Sequence, residues 1–135
     1  MTAKEYLQQY RDAVRMVYAT QDHLAEIRSI ETRVNPDYSV KCIMQAEEKL
    51  REEIENLEAT EREILNAINN VKDGTLKTIL YERYINGKTW ERIAVEMNYT
   101  YKHLVAVLHP KALKLFESCN KIRQNVIVND LKTLL

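Results

Sequence analysis

From Ala3 to about Val34, apolar side chains return at Leu7, Tyr10, Val14, Val17, Leu24, Ile27 and Ile30, and no glycine or proline intervenes. That three-and-four spacing predicts one long helix with a single apolar stripe. Asn35-Pro36-Asp37 predicts its end, because the residue before a proline is driven out of the α region, with a loop reaching about Ser39. A second helix is expected from about Val40 to Lys72, where Leu50, Ile54, Leu57, Ile64, Ile68 and Val71 mark a seven-residue repeat within a dense acidic surface. Glu47 and Glu61 fall in its seam and argue against a long regular coiled coil. Two such helices on a short link, each ~45 to 50 Å long at ~1.5 Å per residue, predict an antiparallel hairpin. A hairpin buries one seam only, so pairing with a second copy is expected.

The pattern changes at Asp73-Gly74-Thr75, where Gly74 is expected to supply a left-handed C-cap and Thr75 a new N-cap. Leu76 to Ile85 then predicts a short helix with Leu76, Ile79, Leu80 and Tyr84 inward, closed by Asn86-Gly87. Residues 90 to 109, WERIAVEMNYTYKHLVAVLH, predict two short crossed helices. Ala94 is the small residue at the crossing, Thr89 and Thr100 are caps, Glu91 faces a positive helix end, and Asn98 tolerates the left-handed reversal. Ile93, Met97, Tyr99, Leu104 and Val107 are expected inside, with Trp90 at the centre of a small core. This is the arrangement of a helix-turn-helix, which frees the outer side of its second helix to lie in a DNA major groove. Pro110 predicts a kink or early stop near His109, since it donates no hydrogen bond and clashes with the Ala106 carbonyl.

Composition narrows the class. With only 2 Gly and 2 Pro in 135 residues, helix breakers are too scarce for a sheet architecture, and an all-α chain is expected. Its expected parts are a helical hairpin arm over 1–73, a helix-turn-helix domain over 74–117, and a tail over 118–135 that is amphipathic in patches. Net charge is zero but unevenly spread. Residues 1–72 hold 10 Lys and Arg against 14 Asp and Glu, whereas residues 73–135 hold 10 against 6. The basic excess therefore accompanies the crossed helices, as phosphate contact requires. No long uncharged apolar run exists, and Lys4, Glu5 and Arg11 break up the N-terminus, so a cytoplasmic protein with no membrane segment is expected. Cys42 and Cys119 lack metal or disulfide spacing, and His23, His103 and His109 lack metal-like partners. No phosphate loop and no nucleophile with a base occurs, and the carboxylates from Glu47 to Glu63 read as a solvated face. Neither an enzyme nor a cofactor is expected. Trp90 and Tyr99 read as core anchors, while Tyr81, Tyr84 and Tyr101 could also offer hydroxyls to phosphate.

Residues 79 to 116, ILYERYINGKTWERIAVEMNYTYKHLVAVLHPKALKLF, resemble region 4 of sigma-70 family transcription factors in Arg83-Tyr84, Gly87, Ile93-Ala94 and Ala112-Leu113. With the preceding helical arm, residues 3 to 117 look like small phage and prophage sigma-like or ArpU-like late transcription regulators of low-GC Gram-positive bacteria. The resemblance implies binding of double-stranded DNA together with RNA polymerase. It implies a reading surface of Thr100, Tyr101, Lys102, Ala106 and His109, with Lys88 and Arg92 near phosphates; the homodimer expected from the hairpin's single seam would use the N-terminal helices. Val105 and Ala106 depart from that pattern, standing where polar readers are common, and leave contact with a thymine methyl as what that face offers. Two alternatives stay open on the sequence: a DNA-packaging protein similar to a small terminase subunit, and a helical interaction protein without DNA binding.

Overall fold

The computed structural model describes residues 1–31 and 36–120, which form an all-α structure without strands. Helix α1 (Ala3–Glu31) starts from a reciprocal capping box: Thr2 Oγ1 accepts from the Glu5 N–H, and Glu5 Oε2 accepts from the Thr2 N–H, both at 3.1 Å. Helix α2 (Pro36–Asn69) begins earlier than the expected Val40. Pro36 is its first residue, a position where the missing N–H would have no intrahelical partner and the ring presets φ. The proline that predicted a loop therefore starts the helix. The expected turn at Asn35 and the tail from Lys121 to Leu135 lie outside the described residues.

Helix α3 (Gly74–Leu80) is capped by Asp73, whose carboxylate accepts from the Leu76 N–H at 2.9 Å. Asp73 thus takes the role expected of Thr75, and Gly74 is the first helical residue rather than a left-handed cap. A carboxylate here meets both the free N–H groups and the positive end of the helix dipole. The chain widens into a π-helical turn (Tyr81–Ile85), and the left-handed conformation falls instead to Gly87, at φ +68°. A Cβ on Gly87 would lie 2.5 Å from the Arg11 guanidinium carbon, so this glycine also makes room for Arg11, whose Nη1 donates to the Ile85 carbonyl at 3.3 Å. Helix α4 (Trp90–Met97) follows. The chain then runs without a break through α5 (Tyr101–His103), a second π-helical turn (Leu104–Leu108) and α6 (His109–Asn120).

Two compact units result. The first joins residues 1–11 to residues 61–120 around one apolar core, whose largest fully buried side chains are Tyr84, Phe116, Leu7, Ile64, Ile68, Ile79, Leu80, Ile93 and Leu104. That core crosses the border expected at residue 73, because the start of α1 and the end of α2 supply apolar surface that three short helices lack. Asn120 ties α6 to α2 by donating through Nδ2 to the Ala67 carbonyl at 2.8 Å, and the same amide reaches the Phe116 carbonyl. In the second unit, residues 12–60, rising numbers on α1 meet falling numbers on α2. Leu24 shares a groove with Leu50 and Ile54, and Arg28 pairs with Glu47 at 3.0 Å.

Ala94 is 4% exposed in the first unit, and its carbonyl accepts from the Tyr99 N–H at 2.9 Å. Ala94→Glu would place a charge where the helices touch, with no room or partner, and should destabilise by about 3 kcal/mol or more. An unaltered thermal melt would show that the contact is not tight.

Candidate nucleic-acid interface

The crossing is built by local side-chain chemistry. Thr89 Oγ1 accepts from the Arg92 N–H at 3.2 Å and Thr100 Oγ1 from the His103 N–H at 3.1 Å, so each threonine starts the helix expected of it. Between them Asn98 adopts φ 60° and ψ 39°, the left-handed reversal. Ile93 and Leu104 are fully buried, while Met97 and Tyr99 are half-buried against the same core.

Beyond Leu104 the surface differs from expectation. The π-helical turn closes with the His109 N–H donating to the Leu104 carbonyl, five residues back. Pro110 has no N–H to continue the four-residue ladder, and the wider turn spares its ring the clash with the Ala106 carbonyl. No stop occurs at His109, and the helix continues to Asn120. One extra residue in the turn rotates everything after it. Val107, expected inside, is 50% exposed; His109, expected on the DNA-reading side, is 8% exposed. Inner contacts step from Leu104 to His109, Ala112 and Phe116, five residues and then three and four.

His109 is therefore a core residue. Its Nε2 and the Tyr84 hydroxyl are hydrogen-bonded at 2.7 Å, and its ring centroid lies 4.3 Å from that of Trp90. The Arg83 guanidinium covers Trp90 at 4.7 Å, and Arg83 Nη1 donates to the Lys88 carbonyl at 3.0 Å. Burial, aided by the positive charges of Lys4 and Arg83, pushes the imidazole down to about 4. Burial likewise pushes the Tyr84 phenol up to about 12. Tyr84 thus has no free hydroxyl for phosphate, whereas Tyr81 and Tyr101 remain exposed.

Two of the cations expected near phosphates are already engaged. The Lys88 ammonium pairs with Glu82 and, at 2.7 Å, with Glu96, whose other oxygen accepts from Arg92 Nε at 2.9 Å. Hydrogen bonds to Glu82 and then Glu96 hold Lys88 above its ordinary pKa, and those from Lys88 and then Arg92 hold Glu96 below its own. Lys88 therefore ties the loop before α4 to Glu82 and Glu96, and Arg92 pairs along α4 with Glu96. The residues brought together in the open are Thr100, Tyr101, Lys102 and Ala106, joined by His103, Val107, Pro110, Lys111 and Lys114, all exposed. No Asp or Glu occurs from Asn98 to Phe116, and among the described residues no carboxylate pairs with Lys102, Lys111 or Lys114. Sequence reasoning did not place Val107 or Pro110 on this side, and the signal that could have placed them is Pro110. Among the described residues no cluster of His, Cys, Asp or Glu could hold a metal, and no helix is long and apolar enough to cross a membrane. Comparison with protein-family models, curated proteins and solved structures gives no significant match.

The His109 position generates a pH prediction. An unfolded histidine takes up its proton near 6.5 and the folded one near 4, so stability present above pH 6.5 is lost as the pH falls towards 4, by about 3 kcal/mol in all. His109→Gln keeps a polar partner for Tyr84 but no titrating ring. Its melting temperature should fall less between pH 7 and pH 4.5 than that of the unaltered chain; parallel falls would remove His109 as the cause.

Proposed function

We propose that this chain is a non-enzymatic, cytoplasmic regulator of phage or prophage type that binds double-stranded DNA through a helix-turn-helix. The outward side of α5 and the residues after it would dock in the major groove. The observation that carries this reading is the set of exposed residues between Lys102 and Lys114, which holds three lysines and no carboxylate. At ~1.5 Å per residue these lysines span ~18 Å, enough to meet phosphates on both sides of a groove ~12 Å wide. The capped, left-handed turn between α4 and α5 supports the same reading, since it presents this side away from the core. Partnership with RNA polymerase rests on the resemblance of residues 79–116 to sigma region 4. Homodimer formation through the N-terminal helices draws support from the exposed Met16, Tyr18 and Met44 of the second unit, large apolar side chains without cover.

Fluorescence anisotropy with a random-sequence duplex at low and moderate salt tests the proposal. Binding should weaken steeply with salt, and Lys102→Glu should lower affinity about tenfold and reduce the salt slope by about one, without changing the melting curve. Absence of binding at low salt would overturn the DNA role. Unchanged affinity in the variant would remove Lys102 from the surface.

A further inference from the structure

We infer that the outward side of the last helix reads the methyl groups of thymine, so that its preferred ligand is a duplex with A·T pairs at the centre of the contacted groove. This rests on the proposed docking to DNA and adds the base chemistry that the surface selects. Side chains that read base edges by paired hydrogen bonds are Arg or Lys to guanine and Asn or Gln to adenine, while Asp or Glu accepts from cytosine. From Tyr99 to Phe116 no Arg, Asn, Gln, Asp or Glu occurs, and the lysines, Lys102, Lys111 and Lys114, stand at the two ends of the exposed positions, where phosphates rather than base edges are in reach. The Thr100 hydroxyl, a further polar group, already accepts from the His103 N–H.

What occupies the middle of the exposed run is apolar: Ala106, Val107 and Pro110, with Lys102 before them and Lys111 and Lys114 after. Pro110 also lacks a backbone donor. Pressed against a G·C edge, these groups would strip water from base donors and acceptors and return no hydrogen bond. The thymine C5-methyl is the one apolar group that a base pair presents in the major groove. Against it the same side chains bury carbon on carbon. The lysines at either end fit a polyanion rather than an apolar protein partner, and they fix the central residues between two phosphate walls. The reading assigns the contact to Ala106 and Val107, because the π-helical turn directs Val107 outward and leaves Val105 half-buried.

Selection from a random duplex library with the full chain, followed by replacement of each thymine in the winning duplex by deoxyuridine, tests this. The replacement deletes one methyl and keeps every hydrogen-bonding group. At the contacted positions affinity should drop about three- to fivefold per methyl, and Val107→Ala should shrink that drop at one of them. A duplex that binds with no response to deoxyuridine would overturn the methyl contact while leaving DNA docking intact. Failure to enrich any duplex, with no binding at low salt, would overturn both and leave this face to a protein partner. A merely weaker, sequence-independent binding by Val107→Ala would also count against it.

Discussion

The hydrogen bond from the His109 N–H to the Leu104 carbonyl determines which residues of the last helix meet the core and which meet solvent. A four-residue step would direct Val107 inward and His109 outward. The five-residue step reverses the two, giving the core an aromatic imidazole and the surface an isopropyl group. Two further contacts follow from that choice. The imidazole packs against the Trp90 ring of α4 and closes on the Tyr84 hydroxyl, so one polar atom pair joins α3's continuation to the last helix inside an otherwise apolar core. A buried hydroxyl and a buried ring nitrogen would each be expensive alone, and together they satisfy one another.

What the chain reveals without coordinates depends on how local the cause is. The two threonine caps, the left-handed Asn98 and the buried Ile93, Ala94 and Leu104 are legible because each is set by residues within one turn. The inner residues of α3 are legible for the same reason, since the π-helical turn after Leu80 comes too late to disturb Leu76 and Ile79. Asp73 and Thr75 were harder to separate, as both are good caps two positions apart, and the carboxylate prevails by answering the dipole as well. Pro36 and Pro110 share one ambiguity: a proline marks a helix boundary or a change of helical pitch, and its neighbours in space decide which. The side-chain reassignments at Val107 and His109 follow from that one undecided turn.

The core's reach across residue 73 has a different origin. Short helices over 74–120 carry apolar side chains on their inner sides, yet enclose too little by themselves, and Ala3, Leu7, Ile64, Ile68 and Val71 complete the enclosure. Nothing in local periodicity announces such a closure, because it depends on separation in sequence rather than spacing. Lys88 illustrates the same point for charge. Counted along the sequence it is one of several basic residues; in space it is neutralised by Glu82 and Glu96, so the loop before α4 is held by ion pairs rather than offering them. Lys102, Lys111 and Lys114, by contrast, are exposed and pair with no carboxylate among the described residues.

The ring of Tyr6 lies 6.0 Å from that of Phe116. During translation the first of these partners leaves the ribosome more than a hundred residues ahead of the second, so this contact must wait until Phe116 has been made. Closure of this unit is consequently a late, long-range event, slow compared with formation of its individual turns. A nascent chain stalled before residue 112 would lack Ala112 and Phe116, two fully buried members of the core on which the crossed helices pack.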